Sequence, residues 1–344
     1  MTNRFLSGAT RRAVLGALAA IPLVASALPA AADTDEIYVQ IWGTTWQSAF
    51  QDIADRFEDE TGIAVIPVTQ ASSSEGLVRL QSAGEDPEID VWFTTSSLAA
   101  RATQNDDLFL DLPAGVTEMS GDLVDGAVAP RYAAAYYYPM SVIYRTDMVD
   151  EPVKTWSDLW DKRFEKSIAI PDITTYAGRS LLISALANGG SIDDIDPGFE
   201  GLKSLSPNVV MFYSSDATAR QALAQGEVST LVATPAQAKR MRDQGVEVEV
   251  ATPAPTPMLF DVMTLVDTPR ADAAAKFIAY VLSPESQALI SERLNQFPVS
   301  KAAPVAEALQ AIKPDPENTV SFDEAKVNAS IGEWNERFQR EIAQ

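Results

Sequence analysis

Short alternating runs of apolar and polar residues in this chain are followed by longer segments in which apolar residues recur at helical spacing. Residues 37–42 alternate as a strand, and Phe50, Ile53 and Phe57 then recur on one face of a helix. This order of strand and helix repeats along the chain and is typical of an α/β fold with parallel strands. The predicted strands are residues 37–42, 63–68, 89–93, 167–170, 209–213 and 229–233.

These units contain too much chain for one sheet of ordinary size, so we predict two α/β lobes. The uncharged segment 132–139, with the sequence Tyr-Ala-Ala-Ala-Tyr-Tyr-Tyr-Pro, is predicted to be an extended crossing between the lobes. A second crossing is predicted near residues 260–265, after the proline-rich segment 252–257.

Small hydroxyl-bearing residues follow the predicted strands in both halves of the chain. Ligands of parallel α/β sheets bind outside the carboxyl ends of the strands, near helix N-termini with free N–H groups. The same hydroxyl groups are also the preferred N-caps of helices, and the sequence leaves both roles open. The candidate ligand-contacting residues are Thr44, Thr45, Ser73, Ser74, Thr95, Ser96, Thr174, Thr175, Ser215, Asp216 and Thr234.

Aromatic residues beside these loops are further candidates for ligand contact, with core packing as the alternative. Trp42 and Trp46 bracket the turn after the first strand, and Tyr176 lies in the turn after residue 170. Side chains alternate along an extended segment, so at most two of the tyrosines at 136–138 can face a cleft. Of these we select Tyr138, because a tyrosine ring packs against a ligand while its hydroxyl forms hydrogen bonds.

The first 32 residues have the order of an export signal. Arg4, Arg11 and Arg12 precede an apolar run at 13–28, which is too short to span a bilayer, and small residues follow at 30–32. The segment around Arg11 and Arg12 is similar to a twin-arginine signal, and a Sec signal with two adjacent arginines is the alternative. We therefore expect cleavage near Ala32 and a periplasmic protein with no membrane insertion.

Charge and composition exclude several classes of site. The chain has 26 basic and 48 acidic residues, and removing the signal, with its three arginines, would leave a net charge of −25. So negative a chain repels nucleic acid and attracts cations at low ionic strength. Because cysteine and histidine are both absent, thiolate or imidazole metal sites and histidine-dependent triads are excluded. The acidic residues of 52–60 lie on a polar helix face, so we expect neither a metal nor another cofactor.

Several motifs together resemble the bacterial extracellular solute-binding proteins of ABC importers, in particular the spermidine/putrescine-binding group. They are Glu-Thr-Gly-Ile at 60–63, Thr-Trp-Ser-Asp-Leu-Trp at 155–160, Gly-Glu-Val at 226–228, Ala-Ala-Lys-Phe-Ile at 274–278 and Ser-Pro-Glu at 283–285. This resemblance implies the type II periplasmic-binding fold: two α/β lobes, each a mostly parallel sheet flanked by helices, with the ligand cleft between them. Lobe 1 would contain residues 33–135 and 262–311, and lobe 2 residues 136–261 and 312–344.

The resemblance also implies how a ligand would be held. Polyamine binders hold ammonium groups with carboxylates, and one such position is matched here by Asp261. A hinge residue fixed by backbone hydrogen bonds is the alternative for Asp261. A second carboxylate position of that group falls on Ile173 or Tyr176, which carry no acid.

We therefore expect a monomeric receptor, not an enzyme, that delivers a small polar solute to an ABC permease in the inner membrane. A polyamine or related amine is the first expectation for the ligand. A solute bearing a carboxylate or phosphonate, held by helix N-terminal amides and Arg179, is the second. A secreted hydrolase with paired carboxylates is the remote alternative.

Overall fold

The computed structural model of the protein describes residues 36–84, 87–105 and 107–343, so the predicted export signal lies outside the described residues. All six strands predicted from the sequence are present, each within two residues of its expected ends. The strands are β1 (Glu36–Trp42), β2 (Ala64–Gln70), β3 (Val91–Thr95), β4 (Val128–Ala129), β5 (Tyr132–Pro139), β6 (Ser141–Arg145), β7 (Ile168–Pro171), β8 (Val209–Tyr213), β9 (Thr230–Ala233), β10 (Val248–Ala251), β11 (Thr256–Leu265) and β12 (Thr319–Val320).

Helices connect most of these strands. The α-helices are α1 (Gly43–Thr45), α2 (Gln51–Thr61), α3 (Ser73–Ala83), α4 (Ser96–Asn105), α5 (Ala114–Thr117), α6 (Arg179–Ala187), α7 (Asp196–Leu205), α8 (Asp216–Gln225), α9 (Pro235–Arg242), α10 (Ala271–Val281), α11 (Pro284–Leu294), α12 (Glu307–Gln310) and α13 (Glu324–Glu341). A π-helical stretch, Trp46–Phe50, joins α1 to α2. Within the described residues, none of the helices is both long enough and apolar enough to cross a membrane.

The strands form two sheets. The first has the order β2-β1-β3-β11-β5-β4, with β12 paired to β11, and the second has the order β10-β6-β9-β7-β8. The groups β2-β1-β3 and β9-β7-β8 are parallel, as expected from their helical connections. The strands β11, β5 and β4 of the first sheet and β10 and β6 of the second extend these groups by antiparallel pairs. Each sheet is therefore mixed.

Apolar side chains cover both faces of each sheet, since neighbouring residues of a strand point to opposite sides. In β3, Phe93 packs edge-on against Phe50 at a ring-centroid distance of 4.8 Å, and Trp92 stacks on Phe109 on the other face at 5.7 Å. In β6, Val142 and Ile143 belong to separate apolar clusters in the same way. The buried apolar side chains of the described residues form four clusters, and the continuous apolar runs of these strands are buried in them.

The chain passes between the sheets at short connections that lie side by side. Strand β5 pairs with the first sheet along its full length, and only Met140 separates it from β6 of the second sheet. Residues 252–255 lead from β10 back to β11 of the first sheet. The hydroxyls of Ser141 and Thr252 are 3.4 Å apart. The passages therefore lie just beyond β5 and just before β11, while the lobe boundaries drawn from the sequence stay a prediction.

Candidate ligand-binding cleft

A cavity of about 590 Å³, the main cavity, is lined by strand ends and helix N-termini from both sheets and by α13. Its volume is in the usual range for a small-molecule site. Seven of the residues selected from the sequence line it: Ser73, Ser74, Thr95, Ser96, Tyr138, Thr174 and Tyr176.

On the side of the first sheet, the N-termini of α3 and α4 meet the cavity. Helix α3 begins at Ser73, because Ser72 caps it by accepting a hydrogen bond from the backbone N–H of Glu75 at 3.2 Å. Ser73 and Ser74 thus belong to the first helical turn and leave the capping to Ser72. The hydroxyl of Ser96 is buried and donates to Oε1 of Glu324 at 2.8 Å.

On the side of the second sheet, the turn after β7 forms the wall. The Oδ1 atom of Asp172 accepts hydrogen bonds from the backbone N–H groups of Thr174 and Thr175, both at 2.9 Å. Tyr176, Ala177 and Gly178 then adopt positive φ angles of 53°, 47° and 72°, so α6 begins only at Arg179. Asp172 is therefore a turn-forming residue.

The carboxylate of Asp261 lies beneath the wall, between two tyrosine hydroxyls of β5. Tyr136 donates to its Oδ2 at 2.7 Å and Tyr138 to its Oδ1 at 3.2 Å. Tyr136 and Tyr138 are two residues apart on one strand, so their side chains share a face. Burial raises the pKa of Asp261 to about 6, although both hydroxyls act to lower it. In the described part of the chain, no arginine or lysine forms an ion pair with this carboxylate.

A buried ion pair links the turn after β7 to the first residue of α13. Arg179 is 1% exposed and Glu324 is 7% exposed, and the distance from Arg179 Nη2 to Glu324 Oε1 is 2.5 Å. Since Ser96 also donates to this oxygen, Glu324 contacts elements of both sheets. Both charged residues line the main cavity.

A cavity of this size, lined by strand ends and helix N-termini, has the geometry of a small-molecule site. The family model for the bacterial extracellular solute-binding protein matches residues 52–319. The chain belongs to this family. It is 23% identical over 315 residues to the spermidine/putrescine-binding periplasmic protein of Salmonella typhimurium, covering 88% of this chain and 87% of that protein.

A second relative and a solved structure are also similar to this solute-binding protein. It is 25% identical over 192 residues to the gamma-aminobutyric acid-binding protein of Pseudomonas aeruginosa, covering 52% of this chain and 53% of that one. Its fold superposes on an ABC transporter structure from Clostridium perfringens with a TM-score of 0.77 and 24% identity, covering 89% of this chain and 99% of that chain. The latter similarity is evidence for the fold. The predicted family and the two-sheet α/β fold are thus confirmed.

Two of the other predicted residues of the solute-binding protein lie at a second cavity of about 400 Å³. Thr44 and Thr45 line it together with Tyr136 and with basic residues of α9 such as Lys239. Asp261 lines neither cavity, and its carboxylate accepts hydrogen bonds from Tyr136 of the second cavity and Tyr138 of the main cavity.

The remaining predicted residues lie outside the main-cavity wall and bond within the protein or pack against it. Trp46 is 3% exposed, with its indole N–H donating to Gln51 Oε1 at 2.7 Å, and Trp42 packs against the core of the first sheet. Thr175 donates to the carbonyl oxygen of Tyr213, and Asp216 accepts from the hydroxyl of Tyr176 at 2.7 Å. Ser215 caps α8, and Thr234 is buried at the start of α9. Their roles as ligand contacts stay predictions.

Sequence reasoning missed the part of the wall that α13 supplies. Glu324, Asn328 and Asn335 line the main cavity, and Asn328 donates to the carbonyl oxygen of Ser97 at 2.8 Å. The amphipathic pattern after Asp323 predicts the helix itself. Its docking against the cleft depends on contacts 145 and 231 residues away in sequence, for which no local pattern exists.

Proposed function

We propose that this solute-binding protein of an ABC transporter captures a small solute that carries an ammonium group, a polyamine or a related amine. The observation that carries the proposal is the carboxylate of Asp261, which has two tyrosine hydroxyls but no basic partner in the described chain. A desolvated ammonium group requires charge-assisted acceptors of this kind and gains from nearby aromatic faces. An amine at Asp261 would offset the cost of burying the carboxylate.

The relatives support the amine. The Salmonella protein is named for binding spermidine and putrescine, and the Pseudomonas protein for gamma-aminobutyric acid. These ligands differ in length and net charge, but each has at least one ammonium group at neutral pH. The shared chemistry matches the acceptor that Asp261 provides.

A second candidate is a solute bearing a carboxylate or phosphonate. It is favoured by Arg101 and Arg179, which both line the main cavity. Guanidinium groups bind carboxylates and phosphates through paired hydrogen bonds.

In the cell, we propose that the protein acts in the periplasm as a monomer after removal of the signal at residues 1–32, and docks on the membrane permease. The hydroxyl groups of Ser73, Ser74, Thr95 and Thr174 would orient the solute, with Tyr138 and Tyr176 against its apolar part. Closure of the two sheets about Met140 and residues 252–255 would exclude water. Binding without turnover is the function.

Calorimetry on the purified protein tests the amine. The ligand series is putrescine, spermidine, gamma-aminobutyrate, butyrate, a phosphonate and a neutral sugar, at pH 7.5. We expect an amine to bind and Asp261→Asn to weaken its binding by about 10- to 100-fold, the usual value of a charge-assisted hydrogen bond. Asp267→Asn is the matched control, because Asp267 is exposed just beyond the same strand.

Three results would contradict the proposal. Binding of butyrate or the phosphonate without binding of any amine would replace the amine with an anion. Equal loss of affinity in both aspartate variants would remove Asp261 from the site. Conversion of a bound compound to product would favour an enzyme.

A further inference from the structure

Helix α13 contacts both sides of the cleft, and its contacts with the second sheet are apolar and ionic. Strand β12 pairs with β11 of the first sheet, and residues 321–323 lead from it into α13. Trp334 and Phe338 then lie in the apolar cluster of the second sheet, where the ring of Phe338 packs edge-on against Phe212 at a centroid distance of 5.0 Å. The chain therefore passes between the sheets a third time, and α13 is packed on the second.

The contacts of α13 with the first sheet are of a different kind, because they are hydrogen bonds to the first turn of α4. Ser96 donates to Glu324 Oε1 at 2.8 Å and Ser97 donates to Asn328 Oδ1 at 3.2 Å. Asn328 Nδ2 in turn donates to the carbonyl oxygen of Ser97 at 2.8 Å. Among the described residues, none of the four apolar clusters contains residues of both α4 and α13.

The two kinds of contact differ in how easily they separate. A hydrogen bond within the protein is exchanged for hydrogen bonds to water at a small net cost. Separating packed apolar surfaces exposes them to water at a cost that grows with their area. If the cleft opens, α13 would therefore stay on the second sheet and release α4.

We infer that α13 is a latch that holds the cleft closed, and that its three hydrogen bonds to Ser96 and Ser97 are the part that releases. This inference rests on the proposed function, in which the two sheets close over a solute. The number and strength of these bonds would set the ratio of open to closed molecules.

Closure also has a cost at the same place, which makes the latch reversible. Glu324 is 7% exposed and pairs with Arg179, and its Oε2 atom is buried without a hydrogen-bond partner among the described residues. Leaving a charged atom buried and unpaired is unfavourable. Withdrawal of α4, whose Ser96 bonds the same carboxylate, would admit water to it. The bonds to α4 favour the closed state and the buried oxygen favours the open state, so loss of the bonds should shift the population towards opening.

The latch is tested by a distance measurement across the cleft, with no ligand present. Because the chain has no cysteine, Val78→Cys on α3 and Gln221→Cys on α8 introduce the only two thiols, both at exposed positions. Nitroxide labels on these thiols report the distribution of distances by pulsed electron paramagnetic resonance. We expect the wild-type background to have mainly the shorter distance. Asn328→Ala removes two of the three bonds and should raise the ratio of open to closed molecules by about tenfold.

Two further variants of the labelled protein make the test specific. Ser96→Ala removes the third bond and should shift the ratio in the same direction, so it decides the test if Asn328→Ala does not fold, as judged by circular dichroism. Lys326→Gln is the control, because it breaks an exposed ion pair of α13 with Asp193, in the loop between α6 and α7, and leaves the bonds to α4 intact. Its ratio should stay within about twofold of the wild type.

Three results would overturn the latch: a wild type found mainly at the longer distance, an unchanged ratio in Asn328→Ala, and an equal shift in Lys326→Gln. Each of them would leave the proposed amine function intact, because the distances are measured without a ligand. Calorimetry that finds no amine bound would overturn the amine and leave the measured distances unaffected.

Discussion

Asp261 is selected in the sequence as a site residue, and the structure shows which groups bond its carboxylate. In the sequence, Asp261 is selected because it matches a carboxylate position of the polyamine-binding group that the chain resembles. That match gives no reason to expect hydrogen bonds from Tyr136 and Tyr138, which are 125 and 123 residues away. Those bonds come from the pairing of β5 with β11, a tertiary event. The acid could be predicted, but its partners could not.

The raised pKa of Asp261 predicts that lowering the pH stabilises the fold and weakens the binding of an amine. The ordinary aspartate pKa is 3.8 and burial raises the pKa of Asp261 to about 6. Ionisation of this carboxyl therefore costs more free energy in the folded state than in the unfolded chain. As pH falls from 7 to 5 the folded state binds this proton before the unfolded chain does. The contribution of this residue to the free energy of unfolding should therefore rise by about 1 kcal/mol. An ammonium ligand needs the ionised form, so its affinity should fall by up to about tenfold over the same range.

The stability effect is measured as the difference between wild type and Asp261→Asn in denaturant titrations at pH 7 and pH 5, which removes the effect of other carboxylates. The affinity effect is measured by calorimetry at both pH values. An amine affinity that does not change between pH 7 and pH 5 would show that the carboxylate carries no charge contact with the ligand.

Helix α13 shows the same division at the scale of an element. Its apolar spacing, with Val327, Trp334 and Phe338 buried, is legible in the sequence. Its position cannot be predicted from the sequence, because α13 packs on α4, on the turn after β7 and on the apolar cluster of the second sheet. The strand-end loops behave likewise. Their hydroxyls could be predicted as caps or contacts, but only the fold separates Ser72, a cap, from Ser73, on the cavity wall.

Trp334→Ala should therefore affect both stability and binding. Trp334 is 5% exposed and packs near Gly178, where the left-handed backbone favours glycine. Truncation of a buried tryptophan should lower the free energy of unfolding by about 3 to 5 kcal/mol. It should also weaken ligand binding, since α13 carries Glu324, Asn328 and Asn335 of the wall.

Denaturant titration and calorimetry measure the two effects. Glu333→Ala, at the exposed neighbouring position, should change stability by no more than about 0.5 kcal/mol. A folded Trp334→Ala protein with unchanged affinity would mean that α13 contributes nothing to the ligand site.

At the scale of the whole molecule, the two sheets follow from the number of strand-helix units, whereas their mixed pairing does not. The antiparallel pairs arise because β5 and β11 lie side by side in the first sheet and the chain turns back into β6 and out of β10. Local patterns identify strands but not their neighbours. The cleft exists because the strand ends of the two sheets face one cavity, which composition alone cannot specify.

The overall charge of the molecule gives a last prediction, which separates the ligand classes by rate. The chain has a net charge of −22, so a cationic ligand is attracted over a distance set by ionic strength. Raising the salt concentration from about 10 mM to about 150 mM shortens that distance from about 30 Å to about 8 Å. The association rate of putrescine should then fall by about fivefold or more. That of an amino acid, which has no net charge, should change by less than about twofold.

Stopped-flow tryptophan fluorescence gives both rates. An equally steep fall for the amino acid would mean that its ammonium is steered by the cleft's own field, with the carboxylate bound later. Such a result would show that net charge does not separate the two ligand classes.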